Sequence, residues 1–124
     1  MEDTRLIYAA VLEHRGFATI AAAGAKKAIA LAVERQPDVI VIDYSMPGMD
    51  GLSATRQLAL DPLTGGIPVI LMTGHVEMVR AEDVKSAGAR SLITKPCLPE
   101  VLEAEIRRVL SGDTEFRTMR GSPR

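Results

Sequence analysis

Apolar and polar positions form two alternating kinds of segment along this chain of 124 residues. Short runs rich in β-branched residues predict strands, and longer stretches whose apolar residues recur every three or four positions predict helices. The predicted strands are Phe17–Ala22, Val39–Asp43, Ile67–Met72 and Ser91–Thr94. The two middle runs are almost wholly apolar, which is typical of strands that are covered on both faces.

Amphipathic patterns predict helices between and around these strands. The chain opens with a predicted helix over Thr4–His14, and further helices are predicted near residues 25–33, 52–59, 76–87 and 98–109. Pro37 and Pro62 follow the second and third of these helices and should end them. Strict alternation of helix and strand implies an α/β fold, a parallel sheet with helices on both faces.

The composition fits one soluble globular domain, with 47% hydrophobic residues, 25% charged residues and a net charge of -1. A chain with no basic excess and few aromatic residues is not expected to bind nucleic acid by itself. No apolar run approaches the length of about 20 residues that spans a membrane, and the N-terminus lacks a signal-peptide pattern. We therefore expect a cytoplasmic protein that has no membrane contact.

Three polar residues stand at or just beyond the ends of successive predicted strands: Asp43, Thr73 and Lys95. Taken singly they have ordinary explanations, because aspartate is a common turn former, threonine a common helix cap and lysine a common surface residue. The carboxyl ends of parallel strands, however, meet at one edge of the sheet, where ligands bind in open α/β folds. A carboxylate, a hydroxyl and an ammonium group at that edge could form a phosphoryl-transfer site with Asp43 as nucleophile.

The segments DYSMPGMDG, PVILMTG and TKP carry a resemblance to a known family. Through them, residues 1–110 resemble the receiver domain of bacterial two-component response regulators. The resemblance implies a flavodoxin-like parallel sheet and a signalling phosphoacceptor rather than an enzyme. It also implies that Asp43 takes a phosphoryl group from a phosphohistidine on a sensor histidine kinase or a phosphotransfer protein.

The same resemblance assigns roles to the residues around Asp43. Thr73 and Lys95 would each bind a phosphoryl oxygen, and the backbone amides of Ser45 and Gly74 would complete the phosphate cradle. The Lys95-Pro96 peptide bond would be cis. Leu92 stands at the switch position, where receivers usually carry an aromatic residue.

The N-terminus departs from the pattern of the family. Receivers begin with a strand that ends in two acidic residues, which bind Mg²⁺, and this chain is predicted to be helical by Thr4. By spacing, the acidic pair would fall at or just before Met1, which leaves Glu2 or Asp3 as candidate ligands. They would act beside the Asp43 carboxylate and the Ser45 carbonyl, so Mg²⁺ binding is in question.

The missing strand would lie between Phe17–Ala22 and Val39–Asp43 in the 2-1-3-4-5 order of the fold. The open alternatives are that the natural protein starts upstream of Met1, that the remaining strands re-pair, or that another chain donates a strand. The first is favoured. The domain would then be an N-terminally incomplete receiver over residues 1–110, and the polar residues 111–124 predict a disordered tail.

The leading functional hypothesis is a stand-alone receiver that signals by contact with a downstream protein whose identity the sequence does not reveal; a homodimer is also left open. A rival is a degenerate receiver that acts as a phosphorylation-independent interaction or dimerisation module. Its support is the absent acidic pair and Leu92. A small flavodoxin-like enzyme or nucleotide binder is disfavoured, because no glycine-rich phosphate loop follows the first predicted strand.

Overall fold

A computed structural model describes the protein over residues 12–22, 24–45, 49–74 and 79–121. Four helices and four strands have bounds within these ranges. The helices are α1 Ala25–Arg35, α2 Gly51–Leu60, α3 Ala81–Ala87 and α4 Pro99–Leu110. The strands are β1 Ile40–Asp43, β2 Val69–Thr73, β3 Ser91–Thr94 and β4 Arg117–Arg120. Residues 12–14 are also helical, and the rest of the predicted helix over Thr4–His14 lies outside the described residues.

The four strands form one parallel sheet in the order β1-β2-β3-β4. Each strand is joined to the next by one helix, as a parallel sheet requires. In the register of the sheet, Asp43 lies opposite Met72, and Thr73 lies opposite Thr94. The predicted α/β architecture is confirmed, and the strands end together at one edge.

Apolar side chains fill both faces of the sheet, as the unbroken apolar runs predicted. Leu71 of β2 belongs to a cluster that includes residues of α1, α2 and α3. Its neighbours Ile70 and Met72 belong to a second cluster on the opposite face, which includes residues of α4 and Leu12. Adjacent residues of β2 thus belong to different clusters, because successive side chains along a strand point to opposite faces of the sheet.

Local sequence signals explain where the helices begin and end. Asp50 caps α2, and its side chain accepts a hydrogen bond from the backbone N–H of Ser53 at 2.7 Å. Gly88 ends α3 with φ of 107°, a left-handed conformation that glycine adopts without steric cost.

The predicted strand over Phe17–Ala22 is not formed. Residues 17–22 have no regular secondary structure, although residues 40–43 do form a strand. A strand needs a neighbour to bond its backbone groups, and β1 pairs only with β2 within the described ranges. The prediction from apolar content was therefore wrong for residues 17–22, of which Ala18, Ile20 and Ala21 are exposed.

The predicted disordered tail is also wrong over Arg117–Arg120, which form β4 and pair in parallel with β3. Phe116 packs against one apolar cluster and Met119 against the other. The backbone ladder with β3 adds hydrogen bonds that do not depend on side-chain polarity. A polar segment that would not fold alone is thus ordered by the sheet beside it.

Candidate functional site

The three residues singled out in the sequence come together at the carboxyl edge of the sheet. Asp43 is the last residue of β1, Thr73 is the last residue of β2, and Lys95 directly follows β3. The side-chain ammonium of Lys95 donates a hydrogen bond to Oδ2 of Asp43. The structure thus brings these three residues to one edge of the sheet, as the sequence predicted.

Asp43 remains accessible despite this ion pair. Its side chain is 31% exposed and that of Lys95 is 27% exposed. The other carboxylate oxygen, Oδ1, accepts a hydrogen bond from the backbone N–H of Ser45 at 3.1 Å. A molecule arriving from solvent can therefore reach a carboxylate that is already oriented by two donors.

Thr73 and the segment around Lys95 are fixed to each other through the backbone. Thr73 is only 1% exposed, and its carbonyl oxygen accepts a hydrogen bond from the Lys95 N–H at 2.7 Å. The Lys95-Pro96 peptide bond is cis, as predicted. This backbone contact holds the lysine next to the carboxyl end of β2.

Gly74 lies beside Lys95 at the exposed end of β2. A Cβ added to Gly74 would meet the Cβ of Lys95 at 4.0 Å, which is ordinary van der Waals contact. The described residues therefore leave room for a small side chain there. His75, the next residue, lies outside the described residues.

The backbone around Asp43 is positioned by a close approach of α2. The Gly51 N–H donates to the Tyr44 carbonyl at 2.8 Å, and the Tyr44 N–H donates to the Met72 carbonyl at 2.8 Å. A Cβ on Gly51 would lie 2.5 Å from the carbonyl oxygen of Asp43 and 2.8 Å from Cα of Tyr44. Only glycine therefore lets α2 begin this close to the end of β1.

The described residues supply little of a metal site. The ranges of the chain that the structure covers contain no group of three or more histidine, cysteine, aspartate or glutamate residues that could hold an ion. Glu2 and Asp3, the candidate acidic ligands, lie outside those ranges. Asp43 by itself does not meet the preference of Mg²⁺ for octahedral oxygen coordination.

Leu92, at the predicted switch position, is 5% exposed and belongs to the apolar cluster shared with α1, α2 and α3. It lines an open cavity of about 380 Å³ between α3, β3 and β4. Val79 and Ala81 line the same cavity, as do residues of β4. The side chain at position 92 therefore faces space that a larger residue could enter.

One further residue, which was not predicted from the sequence, contacts the segment around Lys95. Gly121, placed in the predicted tail, donates its N–H to the Thr94 carbonyl at 2.9 Å and accepts from the Leu98 N–H at 2.8 Å. It thus packs on the segment that contains Lys95. The only apolar residues of the predicted tail are Phe116 and Met119, a weak signal that could have indicated a docked strand.

Comparisons with known proteins agree with this geometry. The response regulator receiver domain family matches residues 1–107. Protein PilH of Pseudomonas aeruginosa is 40% identical over 103 residues, which cover 83% of this chain and 85% of PilH.

None of the helices described in the structure is long and apolar enough to cross a membrane.

Solved structures show the same fold. The receiver domain of a signal transduction histidine kinase from Syntrophus aciditrophicus has a TM-score of 0.79 at 33% identity, covering 90% of this chain and 85% of its own. The receiver domain of the sensor histidine kinase PA1611 from Pseudomonas aeruginosa has a TM-score of 0.82 at 23% identity. The match covers 90% of this chain and 92% of the PA1611 domain chain. That structure has a magnesium ion coordinated in its active site cleft.

Proposed function

Because this chain belongs to the response regulator receiver domain family of two-component systems, we propose that Asp43 is its phosphoacceptor. The phosphoryl donor is a phosphohistidine on a sensor histidine kinase or a phosphotransfer protein. The observation that carries the proposal is the ion pair between Lys95 and the partly exposed Asp43 carboxylate. Members of this family are signalling phosphoacceptors rather than classical enzymes.

The reaction moves one phosphoryl group from nitrogen to oxygen. A carboxylate oxygen of Asp43 attacks the phosphorus atom, and an acyl phosphate O–P bond forms as the N–P bond breaks. The electron pair of the broken bond stays on the imidazole nitrogen of the donor, which takes up a proton. The ammonium of Lys95 balances the negative charge that is added at Asp43.

The remaining residues of the proposed site would hold the phosphoryl oxygens. Thr73 would donate its hydroxyl to one oxygen, and the backbone amides of Ser45 and Gly74 would bind others. Thr73 is supported in this role by its place at the carboxyl end of β2, next to the strand that bears Asp43. Fixed donors are effective because they need no reorganisation when charge develops.

A magnesium ion would be held by the Asp43 carboxylate, the Ser45 backbone carbonyl and Glu2 or Asp3. When bound, Mg²⁺ would neutralise phosphoryl charge. Of these ligands, the structure describes only Asp43 and Ser45, which do not form a magnesium site without further oxygen donors. The proposed roles of Lys95 and Thr73 do not depend on the ion.

Output would pass through contact with a downstream protein after a shift between two conformations of the domain. Leu92 is the proposed switch residue, because it is buried beside a cavity into which its side chain could move. An aliphatic side chain at this position also favours the second candidate function. That candidate is an interaction or dimerisation module that works without phosphorylation.

Phosphorylation with a small donor separates the two functions. The protein is incubated with acetyl phosphate and Mg²⁺, and intact mass is measured over time. We expect a gain of one phosphoryl group in the wild type and in D38N, which alters an exposed aspartate elsewhere. D43N should show no gain. Absence of a gain in the wild type would favour the phosphorylation-independent module.

A further inference from the structure

Strand β4 lies beyond the part of the chain that matches the receiver family, which ends at residue 107. It pairs in parallel with β3 and so covers the edge of β3 that faces away from β2. It also forms one wall of the cavity beside Leu92, through Thr118, Met119 and Arg120. An edge that could accept another strand is therefore occupied by a segment of the same chain.

The side chains of β4 contribute little to holding the strand in place. Arg117, Thr118 and Arg120 are exposed, and Met119 is only partly buried. Most of the attachment in this part is therefore the backbone ladder with β3. Strands that bury few apolar side chains open at low free energy, so the ends of β4 decide how firmly it stays in place.

The first end is held by a polar network on α4. Arg108 forms ion pairs with Glu105 at 2.5 Å and with Asp113 at 3.1 Å, and it donates to the Glu115 carbonyl at 3.0 Å. Glu105 is 2% exposed and also accepts a hydrogen bond from Ser91 of β3. This network fixes the connection between α4 and β4 to the body of the domain.

The second end is held by Gly121, against the segment that contains Lys95. Besides its two backbone hydrogen bonds there, Gly121 approaches so closely that an added Cβ would lie 2.5 Å from Cα of Cys97. The same Cβ would overlap the carbonyl oxygens of Thr94 and Pro96. The residue that follows β4 therefore packs closely against residues 94–97.

Lys95 links the close contact at Gly121 to the carboxylate of Asp43. Its backbone is part of the segment that Gly121 contacts, and its ammonium is paired with the Asp43 carboxylate. A phosphoryl group on Asp43 places new oxygens between the carboxylate and the ammonium, so Lys95 must shift to pair with them. Because packed interfaces tolerate little displacement, a shift of residues 94–97 disturbs the contact with Gly121.

We propose that β4 is an intrachain cover of the β3 edge, released when Asp43 is phosphorylated because Lys95 and Gly121 share one segment. The proposal rests on the proposed function of Asp43. In the unphosphorylated protein, β4 blocks the backbone edge of β3 and closes one side of the cavity beside Leu92. Its release exposes both to solvent.

Hydrogen exchange measured by mass spectrometry tests this coupling. In the protein phosphorylated with acetyl phosphate and Mg²⁺, amides of residues 117–120 should exchange at least about tenfold faster than before, whereas those of β2 should not change. G121A should show the faster exchange without phosphate. G66A is the matched control, because an added Cβ at Gly66 meets nothing within 4 Å. D43N should keep slow exchange with acetyl phosphate.

Binding of beryllofluoride, a mimic of the phosphoryl group, tests the reverse direction. Coupling between two sites is reciprocal, so G121A should bind it about fivefold more tightly than the wild type and G66A. If G121A does not fold, M119D, which removes an apolar contact of β4 with the cluster that includes Ile93 and Cys97, serves the same test. A phosphorylated wild type with unchanged exchange at residues 117–120 overturns the proposal and leaves the function of Asp43 intact. A wild type that gains no phosphoryl group overturns both.

Discussion

The ammonium of Lys95 is bonded to the carboxylate of Asp43, a residue 52 positions earlier in the chain. The two residues lie at the ends of strands that are not neighbours, since β2 lies between β1 and β3. Their side chains therefore meet across the carboxyl end of β2, whose last residue is Thr73. This pairing leaves Asp43 partly exposed and gives it a fixed cation for an added negative charge.

Removal of that cation should slow phosphorylation. We expect K95M to react with acetyl phosphate about 10²-fold more slowly than the wild type, because a positioned charge is lost from the proposed transition state. K26M is the matched control, since Lys26 is exposed on α1. The measurement is intact mass against time in the presence of Mg²⁺. Equal rates for K95M and K26M would show that the ion pair has no role in the reaction.

The contact between Gly51 and Asp43 predicts a sensitive position at the start of α2. G51A should lower the free energy of unfolding by about 1–3 kcal/mol, because the new Cβ overlaps the backbone of residues 43 and 44. Alanine in a helix normally stabilises relative to glycine, so the sign of the change is informative. Chemical denaturation of G51A beside G66A measures it. An increase in stability for G51A would contradict the close approach.

The cavity beside Leu92 predicts that a larger side chain is tolerated there and not at the next residue. L92F should change the free energy of unfolding by less than about 1.5 kcal/mol, since the ring can enter the open space. I93F should lower the free energy of unfolding by more, about 1–3 kcal/mol. The reason is that Ile93 is 0% exposed and belongs to the cluster on the opposite face of the sheet. Urea denaturation of both variants gives the comparison. Equal losses would mean that the cavity is not available to residue 92.

The lowered pKa of Glu105 predicts that the protein loses stability in acid. Burial raises the pKa of its carboxyl, but hydrogen bonds from Arg108 and Ser91 outweigh this, and the pKa lies below its ordinary value of 4.5. A carboxyl with a lowered folded pKa stabilises the fold above the unfolded value and loses this contribution as pH falls through the folded value. Stability of the wild type should therefore fall below about pH 4.5.

E105Q removes the titrating group and leaves Arg108 without its nearest partner. At pH 7 this variant should lose about 3 kcal/mol of unfolding free energy, the usual effect of removing one partner of a buried pair. Below pH 4.5 its stability should depend less on pH than that of the wild type. Thermal unfolding from pH 3 to 7 measures both effects. Parallel curves for the two proteins would show that Glu105 does not contribute to the acid response.

Much of the site could be predicted because its signals are local. Asp43, Thr73 and Lys95 each follow a short apolar run, and parallel strands necessarily bring such positions to one edge. The cis bond before Pro96, which the resemblance to the family implied, is also present. The assignment of a phosphoryl group to Asp43 stays a prediction, as do the roles of Glu2 and Asp3.

The sequence by itself determined the alternation of helix and strand, the family and the residues at the carboxyl edge, because periodicity and strand ends are properties of neighbouring residues. Only the tertiary structure decided which segments became strands. Residues 17–22 are mostly apolar and form no strand, whereas the polar residues 117–120 pair with β3. Strand formation depends on hydrogen bonds to a distant segment, so local composition cannot decide it.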